Sequence, residues 1–190
     1  MVKPIVIVVL IAMVLLVGGL ALVLPHLTGA RSPTTAPTRP AGLRLSAPAA
    51  WPMFRGDPLL RGLATGGLPG KPIVAWRFKT GDYISSSAAV SDGRVYIGSD
   101  DSRLYCLDLV TGSKRWAVET GGAVQSSPLV LGGRVYVGSN DSFLYCLDAT
   151  TGEENWKCET GAKIVGGPNR VALGKDVTGI VFGSHDGKLY

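Results

Sequence analysis

Residues 76–115 read WRFKTGDYISSSAAVSDGRVYIGSDDSRLYCLDLVTGSKR, and residues 116–155 read WAVETGGAVQSSPLVLGGRVYVGSNDSFLYCLDATTGEEN. The two stretches are identical at more than half of their positions, and the shared residues are concentrated at Gly, Trp, Tyr and Asp. Residues 156–190 begin the same pattern a third time, so that Trp76, Trp116 and Trp156 align. The chain therefore contains an internal repeat with a period of about 40 residues.

Each repeat unit predicts four short β-strands, because apolar and polar residues alternate between turn signals. In the first unit the strands are expected at 84–90, 94–99, 102–108 and 114–119. Asp92-Gly93 and Gly132-Gly133 predict two-residue hairpin turns, since such turns need positive φ angles. One such unit cannot bury its own faces and must stack on copies of itself. We therefore predict an all-β fold, a partial β-propeller of about 2.75 four-stranded blades.

The two ends of the repeat region depart from the regular pattern. Residues 72–79 match the last part of each later unit and predict an orphan outer strand. The third unit gains residues around VALGKDVTG, which should lengthen its inner hairpin. It stops at Tyr190, where both earlier units continue with Cys-Leu-Asp, so we expect a fragment of a longer protein. If the chain is complete, its open blade edge should promote self-association.

The chain divides into a cap, an apolar run, a linker and a propeller domain, at residues 1–4, 5–24, 25–50 and 51–190, with units at 76–115, 116–155 and 156–190. The apolar run has no charge and is long enough to cross a hydrocarbon core of about 30 Å, which predicts a transmembrane anchor. A cleavable signal peptide is the alternative, because Thr28-Gly29-Ala30 offers a cleavage site. The linker is rich in Pro, Ala, Ser and Thr, which predicts a disordered tether.

The basic residues of the chain lie mainly outside the repeats. Of the net charge of +5, most comes from Lys3, Arg31, Arg39 and Arg44, while the repeat region is nearly neutral and has no basic stripe. We therefore expect no nucleic-acid partner. The three arginines follow the apolar run, so the positive-inside rule alone would place the repeats in the cytoplasm.

The pattern W-x-F-x-T-G, S-S-x-x-V, G-R-V-Y-x-G-S-x-D and L-Y-x-L-D-x-x-T-G-x-x-x-W resembles the PQQ-like propeller repeat family, and WPMFRGD resembles the lead-in of many such propellers. The resemblance implies an extracytoplasmic location, which we adopt against the positive-inside count. It also implies blades that are joined by tryptophan-docking contacts. The residues that match the docking motif are Trp76, Trp116, Trp156, Asp108, Gly112, Asp148 and Gly152.

The resemblance does not by itself imply a cofactor. Quinoprotein dehydrogenases of this family also have adjacent cysteines over the quinone, a calcium or lanthanide site and a catalytic aspartate. Here Cys106, Cys146 and Cys158 are not adjacent, and the first two are expected to be buried free thiols. We therefore predict no catalytic, cofactor-binding or metal-binding residues and no cofactor. PQQ with calcium is expected only if the chain is part of such a dehydrogenase.

Recurrent polar residues have a simpler structural interpretation. Asp101, Asp141 and Asp186 occupy one repeat position in a turn, and each loop has too few oxygen ligands for calcium, which favours turn stabilisation. His185 has no second ligand or base at a recognisable spacing. Ser86-Ser87 and Ser126-Ser127 begin the innermost strands, where they would line the central channel without a partnering base.

The sequence as a whole predicts a single-pass membrane protein with an extracytoplasmic propeller. Its predicted function is a non-enzymatic scaffold for protein partners, in envelope assembly or binding. The alternatives are a fragment of a PQQ-dependent quinoprotein dehydrogenase and an extracellular sensor domain. The first alternative would make the protein an enzyme.

Overall fold

The computed structural model describes residues 50–57, 59, 61–62, 73–175 and 177–190. The predicted cap, the apolar run and residues 25–49 of the predicted linker lie outside these residues. Within the described ranges, no segment forms a helix of the length and apolarity that a bilayer span requires.

The described part of the chain is all-β and contains no helix, as the repeat pattern predicted. The first unit contains β1 (Ala89–Ser91), β2 (Arg94–Ser99), β3 (Arg103–Asp108) and β4 (Lys114–Glu119). The second contains β5 (Leu129–Leu131), β6 (Arg134–Gly138), β7 (Phe143–Asp148) and β8 (Glu154–Glu159), and the third contains β9 (Asn169–Ala172) and β10 (Thr178–Val181). β1 to β4 form one antiparallel sheet in sequence order, β5 to β8 form a second, and β9 pairs with β10. Because β4 and β8 run past the repeat boundaries at residues 115 and 155, a unit from here on means one such sheet with its loops.

The hairpin turns of the first two units adopt the predicted backbone conformation. Asp92 and Gly93 have φ angles of 49° and 70°, and Gly132 and Gly133 have φ angles of 59° and 73°. Two successive positive φ angles match the twist of the flanking strands. The innermost strand of the first unit is shorter than predicted, since β1 covers residues 89–91 and not 84–90. The preceding residues still lie beside the far half of β2, but the Ser86 side chain replaces backbone pairing there, since its Oγ donates to the Gly98 carbonyl and accepts from the Gly98 amide. One backbone bond, from the Asp100 amide to the Tyr83 carbonyl, follows.

The third unit has the longer inner hairpin that its inserted residues predicted. β9 and β10 pair from Asn169 opposite Val181 to Ala172 opposite Thr178, so the connection is longer than the two-residue turns of the earlier units. Beyond this hairpin, Gly183 and Leu189 form an isolated antiparallel bridge. The predicted orphan strand is not a strand at residues 73–79, and Pro72 lies outside the described residues. A strand needs a hydrogen-bonded neighbour, and the described residues provide none there.

The largest apolar core lies between the first and second units and not within either. It combines residues of both sheets, which shows that the two units stack face to face. Its buried members are Ala89, Tyr96, Leu104, Cys106, Val124, Val130, Val135, Val137, Tyr145, Leu147 and Ala149. A single sheet of this size would leave these side chains in water, so stacking is what makes each unit stable.

Candidate functional site: the contacts between neighbouring units

The first docking contact is the indole of Trp76, which precedes the first sheet, against the turn that joins β3 and β4. Its Nε1 donates a hydrogen bond to the Leu109 carbonyl oxygen at 2.9 Å. A Cβ atom at Gly112 would lie 2.5 Å from Cδ2 of Trp76, and Gly112 has a φ angle of 69°. Only glycine suits both the close approach and the left-handed backbone.

Trp116 makes the equivalent contact with the second unit. A Cβ at Gly152 would lie 2.9 Å from Cδ2 of Trp116, and the φ angle of Gly152 is 80°. The polar part of this contact differs from the first. The buried Nε1 of Trp116 has no hydrogen-bond partner among the described residues. The Tyr96 hydroxyl donates instead to the Ala149 carbonyl oxygen, at 2.9 Å.

Trp156 packs against Tyr136 of its own sheet as Trp116 packs against Tyr96, but no glycine turn of the described residues lies against its other face. Its ring centroid lies 5.9 Å from that of Tyr136, which matches the 5.8 Å between Tyr96 and Trp116. Its side chain is 41% exposed. Trp156 therefore presents an aromatic surface that none of the described residues covers with a turn.

Asp108 and Asp148 hold the turns that receive the indoles. The Oδ1 atom of Asp108 accepts hydrogen bonds from the backbone of Val110 and Thr111, at 2.9 and 2.8 Å, and Oδ2 pairs with Arg115 at 2.6 Å. The amide of Thr111 and the guanidinium of Arg115 lower the pKa of Asp108 to about 2. Charged groups that accept such bonds are well suited to fixing a tight turn.

Asp148 repeats this arrangement with one difference. Its Oδ1 accepts from the amides of Thr150 and Thr151, at 2.7 and 2.8 Å, and these bonds lower its pKa. Position 155, which corresponds to Arg115, is an asparagine. The second turn therefore lacks the ion pair of the first.

A second set of aspartates fixes the turns at the opposite end of the sheets. The Oδ2 atoms of Asp101, Asp141 and Asp186 accept from the amides of Gly81, Gly121 and Gly161, at 2.6, 2.7 and 2.9 Å. The same three atoms accept from the hydroxyls of Tyr105, Tyr145 and Tyr190, at 2.7, 2.7 and 2.6 Å. These bonds agree with the sequence interpretation of these aspartates as turn-stabilising residues.

Tyrosine hydroxyls also lower the pKa of two of these aspartates, Asp186 and Asp101. The hydrogen bond from Tyr190 holds the pKa of Asp186 below its ordinary value. Burial opposes ionisation of Asp101, but the bonds from Tyr105 and Gly81 outweigh it and lower the pKa of Asp101. Within the described ranges, no three His, Cys, Asp or Glu side chains lie close enough together to hold a metal ion.

The inner residues of adjacent units are joined by hydrogen bonds through serine. The Ser87 amide donates to Ser127 Oγ at 3.0 Å, and Ser126 Oγ donates to the Gly166 carbonyl at 3.0 Å. Ser86 bonds within its own unit, to Gly98. The serine pairs that the sequence singled out therefore connect units as well as beginning the inner strands.

The remaining candidates are isolated from one another. Cys106 and Cys146 are buried free thiols, as predicted, and burial raises the pKa of Cys106 to about 11. Cys158 is a partly buried free thiol, and His185 is exposed in its turn. The sequence interpretation missed the hydrogen bond from Tyr96 to Ala149. Tyr96 and Tyr136 recur at the same repeat position, and that signal could have identified a residue at the contact between units.

Comparison with known proteins identifies these repeats. A family model described as outer membrane protein assembly factor BamB matches residues 73–190. The crystal structure of BamB from Moraxella catarrhalis is similar, with a TM-score of 0.50 and 27% identity over 60% of this chain and 35% of that chain. No curated protein matches the chain.

Two dehydrogenase structures share the fold. Quinohemoprotein alcohol dehydrogenase from Comamonas testosteroni has a TM-score of 0.58 and 24% identity, over 71% of this chain and 23% of that chain. A europium-containing methanol dehydrogenase has a TM-score of 0.58 and 20% identity, over 72% and 28%. This chain therefore spans about a third or less of the length of these structures. On the match over residues 73–190, the chain belongs to the PQQ-like repeat family that the BamB model describes.

Proposed function

We propose that this protein is a membrane-tethered, extracytoplasmic propeller that acts as a non-enzymatic scaffold for protein partners. One observation carries the proposal. The recurrent aspartates at both ends of the sheets use their carboxylate oxygens to bind amides, tyrosine hydroxyls or Arg115 of the same chain. These acidic groups stabilise the fold, and the exposed turns are available for contacts with other proteins. The similarity to BamB, whose family model is named for outer membrane protein assembly, supports the same role.

The docking residues have a structural role in this proposal. Trp116 joins the first sheet to the second by filling the space above Gly152, and Trp76 fills the equivalent space above Gly112 of the first sheet. Asp108 and Asp148 hold those glycines in place. Trp156 is proposed to receive the Thr-Gly turn of a further unit, because its ring has the same intra-unit packing and a free outer face.

The proposal of a membrane anchor is based on the uncharged run at residues 5–24. The proposal of an extracytoplasmic location is based on the family resemblance. Both can be tested with the full chain in cells that express it. We expect it to stay in the membrane fraction after alkaline carbonate extraction, with residues 51–190 accessible to protease from the extracytoplasmic side. Release by carbonate would contradict the anchor, and protection of the repeats until the membrane is permeabilised would contradict the location.

A quinoprotein dehydrogenase is the alternative function, because quinohemoprotein alcohol dehydrogenase from Comamonas testosteroni shares the fold. The described residues do not fit PQQ and its metal, because they bring no three potential metal ligands together and the chain has no adjacent cysteines. Titration of the full chain with PQQ and calcium separates the two functions. We expect no stoichiometric quinone absorption and no alcohol-dependent dye reduction. Tight binding of one PQQ per chain would overturn the scaffold proposal.

A further inference from the structure

The residues before the repeats form a lead-in segment, residues 50–57, that is attached to the innermost strands of two units. Trp51 exchanges two backbone hydrogen bonds with Val90 of β1, each of 2.7 Å, and the Pro52 carbonyl accepts from the Val130 amide of β5 at 2.7 Å. The lead-in segment therefore bridges the first two units. The family model begins at residue 73, so it does not include this attachment.

The third unit lacks an apolar side chain that the second unit inserts between sheets. Val130 pairs with Val135 across the inner hairpin of the second unit, and both are buried in the core that covers the first sheet. At the same register position of the third unit, Arg170 pairs with Ile180. Ile180 packs against the second sheet, but Arg170 is exposed. The contact between the second and third units therefore misses one apolar side chain near the inner hairpin.

Met53 of the lead-in segment supplies that missing side chain. It is 3% exposed and shares a core cluster with residues of the second sheet, as Val130 shares one with residues of the first. The two sets occupy equivalent repeat positions: Leu129, Tyr136 and Cys146 are clustered with Met53, and Ala89, Tyr96 and Cys106 with Val130. Met53 therefore covers the second sheet where a valine covers the first.

The core between the second and third units is divided into two parts, whereas the core between the first and second is continuous. The far part, away from the inner hairpin, is a separate cluster of Leu144, Ile164 and Phe182. The Ile164 amide also donates to the Ser139 carbonyl at 3.0 Å. The third unit holds the far part with its own residues, but the near part needs Met53 from outside the repeats.

The backbone of the lead-in segment holds Met53 in this position. The Gly56 amide donates to the Met53 carbonyl at 2.9 Å, and Gly56 has a φ angle of 79°. A Cβ atom at Gly56 would lie 2.7 Å from Cε3 of Trp51, so only glycine allows the chain to turn against the indole. Phe54 is 46% exposed, so deep burial does not extend to the residue after Met53.

A cavity beside Met53 shows that it replaces the missing side chain incompletely. The cavity has a volume of about 240 Å³. Its walls are Pro52, Met53, Leu129, Val130, Leu131 and Arg170. An aliphatic side chain at position 170 would therefore have room to pack against the second sheet.

We propose that the lead-in segment is a strap that holds the inner hairpin of the third unit on the second unit, with Met53 as the wedge between them. The backbone bonds of Trp51 and Pro52 anchor the strap, and Met53 completes the apolar contact that Arg170 leaves open. Loss of the wedge would leave its neighbours without packing partners. Release of the strap therefore opens the second contact near Cys146 and leaves the first contact closed. This role is independent of the proposed membrane tether and scaffold function.

Thiol labelling tests this selectivity, because Cys106 and Cys146 are both 0% exposed at equivalent positions of the two contacts. The full chain in detergent carries Cys158→Ser, so that only these two thiols remain, and is treated with iodoacetamide under native conditions. Mass spectrometry of the two cysteine peptides gives both labelling rates from one sample. Met53→Ala removes the wedge, and Met53→Val shortens it. Phe54→Ala is the matched control, since it truncates an exposed side chain of the same segment.

We expect Met53→Ala to speed labelling of Cys146 by about tenfold or more, and to leave the rate at Cys106 within about twofold. Met53→Val should have a smaller effect in the same direction, and Phe54→Ala should have none. Adding Arg170→Val to Met53→Ala should slow labelling of Cys146 again, because valine restores the residue of the earlier units.

Two results would overturn the strap: unchanged labelling of Cys146 in the Met53 variants, or equal acceleration of both thiols. If Met53→Ala does not fold, Met53→Val decides between these outcomes. Failure of Arg170→Val to slow the labelling would contradict the substitution of Met53 for an apolar residue of the third unit.

Discussion

The contacts of Trp76 and Trp116 occupy the same position in successive repeats, but the two indole N–H groups differ in their hydrogen bonding. Trp76 donates to the carbonyl of Leu109, whereas the carbonyl of Ala149 accepts from the Tyr96 hydroxyl and leaves the Trp116 Nε1 without a partner among the described residues. Both indoles nevertheless pack against a glycine with positive φ.

The difference arises from what precedes each tryptophan. Trp116 follows a complete unit, and that unit supplies Tyr96 from β2. Trp76 follows no such unit among the described residues, so no tyrosine competes for the Leu109 carbonyl. The comparison teaches that apolar contact with glycine is the constant part of the motif, while the hydrogen bond depends on the neighbouring sheet.

The largest expected effect comes from removing an indole that is covered on both faces. Trp116→Ala should lower the free energy of unfolding by about 3 kcal/mol, the lower end of the range for buried aromatic residues, because the indole is partly buried. Trp156→Ala should cost only about 1–2 kcal/mol, because Trp156 is partly exposed and none of the glycine turns in the described part of the chain covers it. Urea unfolding followed by circular dichroism measures both. Equal losses would show that the glycine turn adds nothing to indole packing.

A smaller effect should distinguish the two turns that hold the glycines. Asp108→Asn loses the ion pair with Arg115 as well as charged hydrogen bonds, and should cost about 0.5–1 kcal/mol more than Asp148→Asn. Arg115→Gln in the wild-type and Asp148→Asn backgrounds is the control, since it should have the same effect in both.

The same turn predicts a dependence on pH. The folded-state pKa of Asp108 is about 2, below its ordinary value of 3.8, so its stabilising effect is complete above that ordinary value and is lost as the pH falls toward about 2. Thermal unfolding of wild type and Asp108→Asn across this range should converge at the acidic end. A constant difference between the two proteins would contradict the assignment.

The smallest effect should come from Tyr96→Phe, which frees the Ala149 carbonyl. By analogy with Trp76, the Trp116 Nε1 should then donate to that oxygen, so the net change in stability should stay below about 1 kcal/mol. The indole N–H resonance of Trp116 should move downfield in the proton NMR spectrum. Tyr136→Phe is the matched control and should leave that resonance in place.

The regular parts of the fold were predictable because each feature repeats. The period, the hairpin glycines and the longer third hairpin follow from residues such as Gly93, Gly133 and the inserted VALGKDVTG. The residues at the unit contacts could also be identified, since Trp76 and Gly112 stand at fixed offsets within the repeat. Local turn chemistry and alternation are enough for such features.

Features that depend on a neighbour were not predictable in this way. Residues 73–79 have the sequence of an outer strand, but strand formation requires a paired chain beside it. The innermost strand is short because the Ser86 side chain replaces backbone pairing with Gly98. The choice of Tyr96 over Trp116 as donor to Ala149 depends on the relative position of two sheets, which no single unit encodes. The attachment of Trp51 and Pro52 to two inner strands lies outside the repeat altogether.

The central claim is that indole packing on a glycine of the next unit joins the repeats, and a double-mutant cycle on Trp116 and Gly152 tests it most directly. Gly152→Ala alone should cost about 2–4 kcal/mol, from left-handed backbone strain and the clash with the ring. In the Trp116→Ala background the clash disappears, so the cost should fall to about 1–2 kcal/mol. Gly132→Ala, which has a φ angle of 59° and no atom within 4 Å of its Cβ position, gives the cost of strain alone. Additive losses at Trp116 and Gly152 would contradict the account.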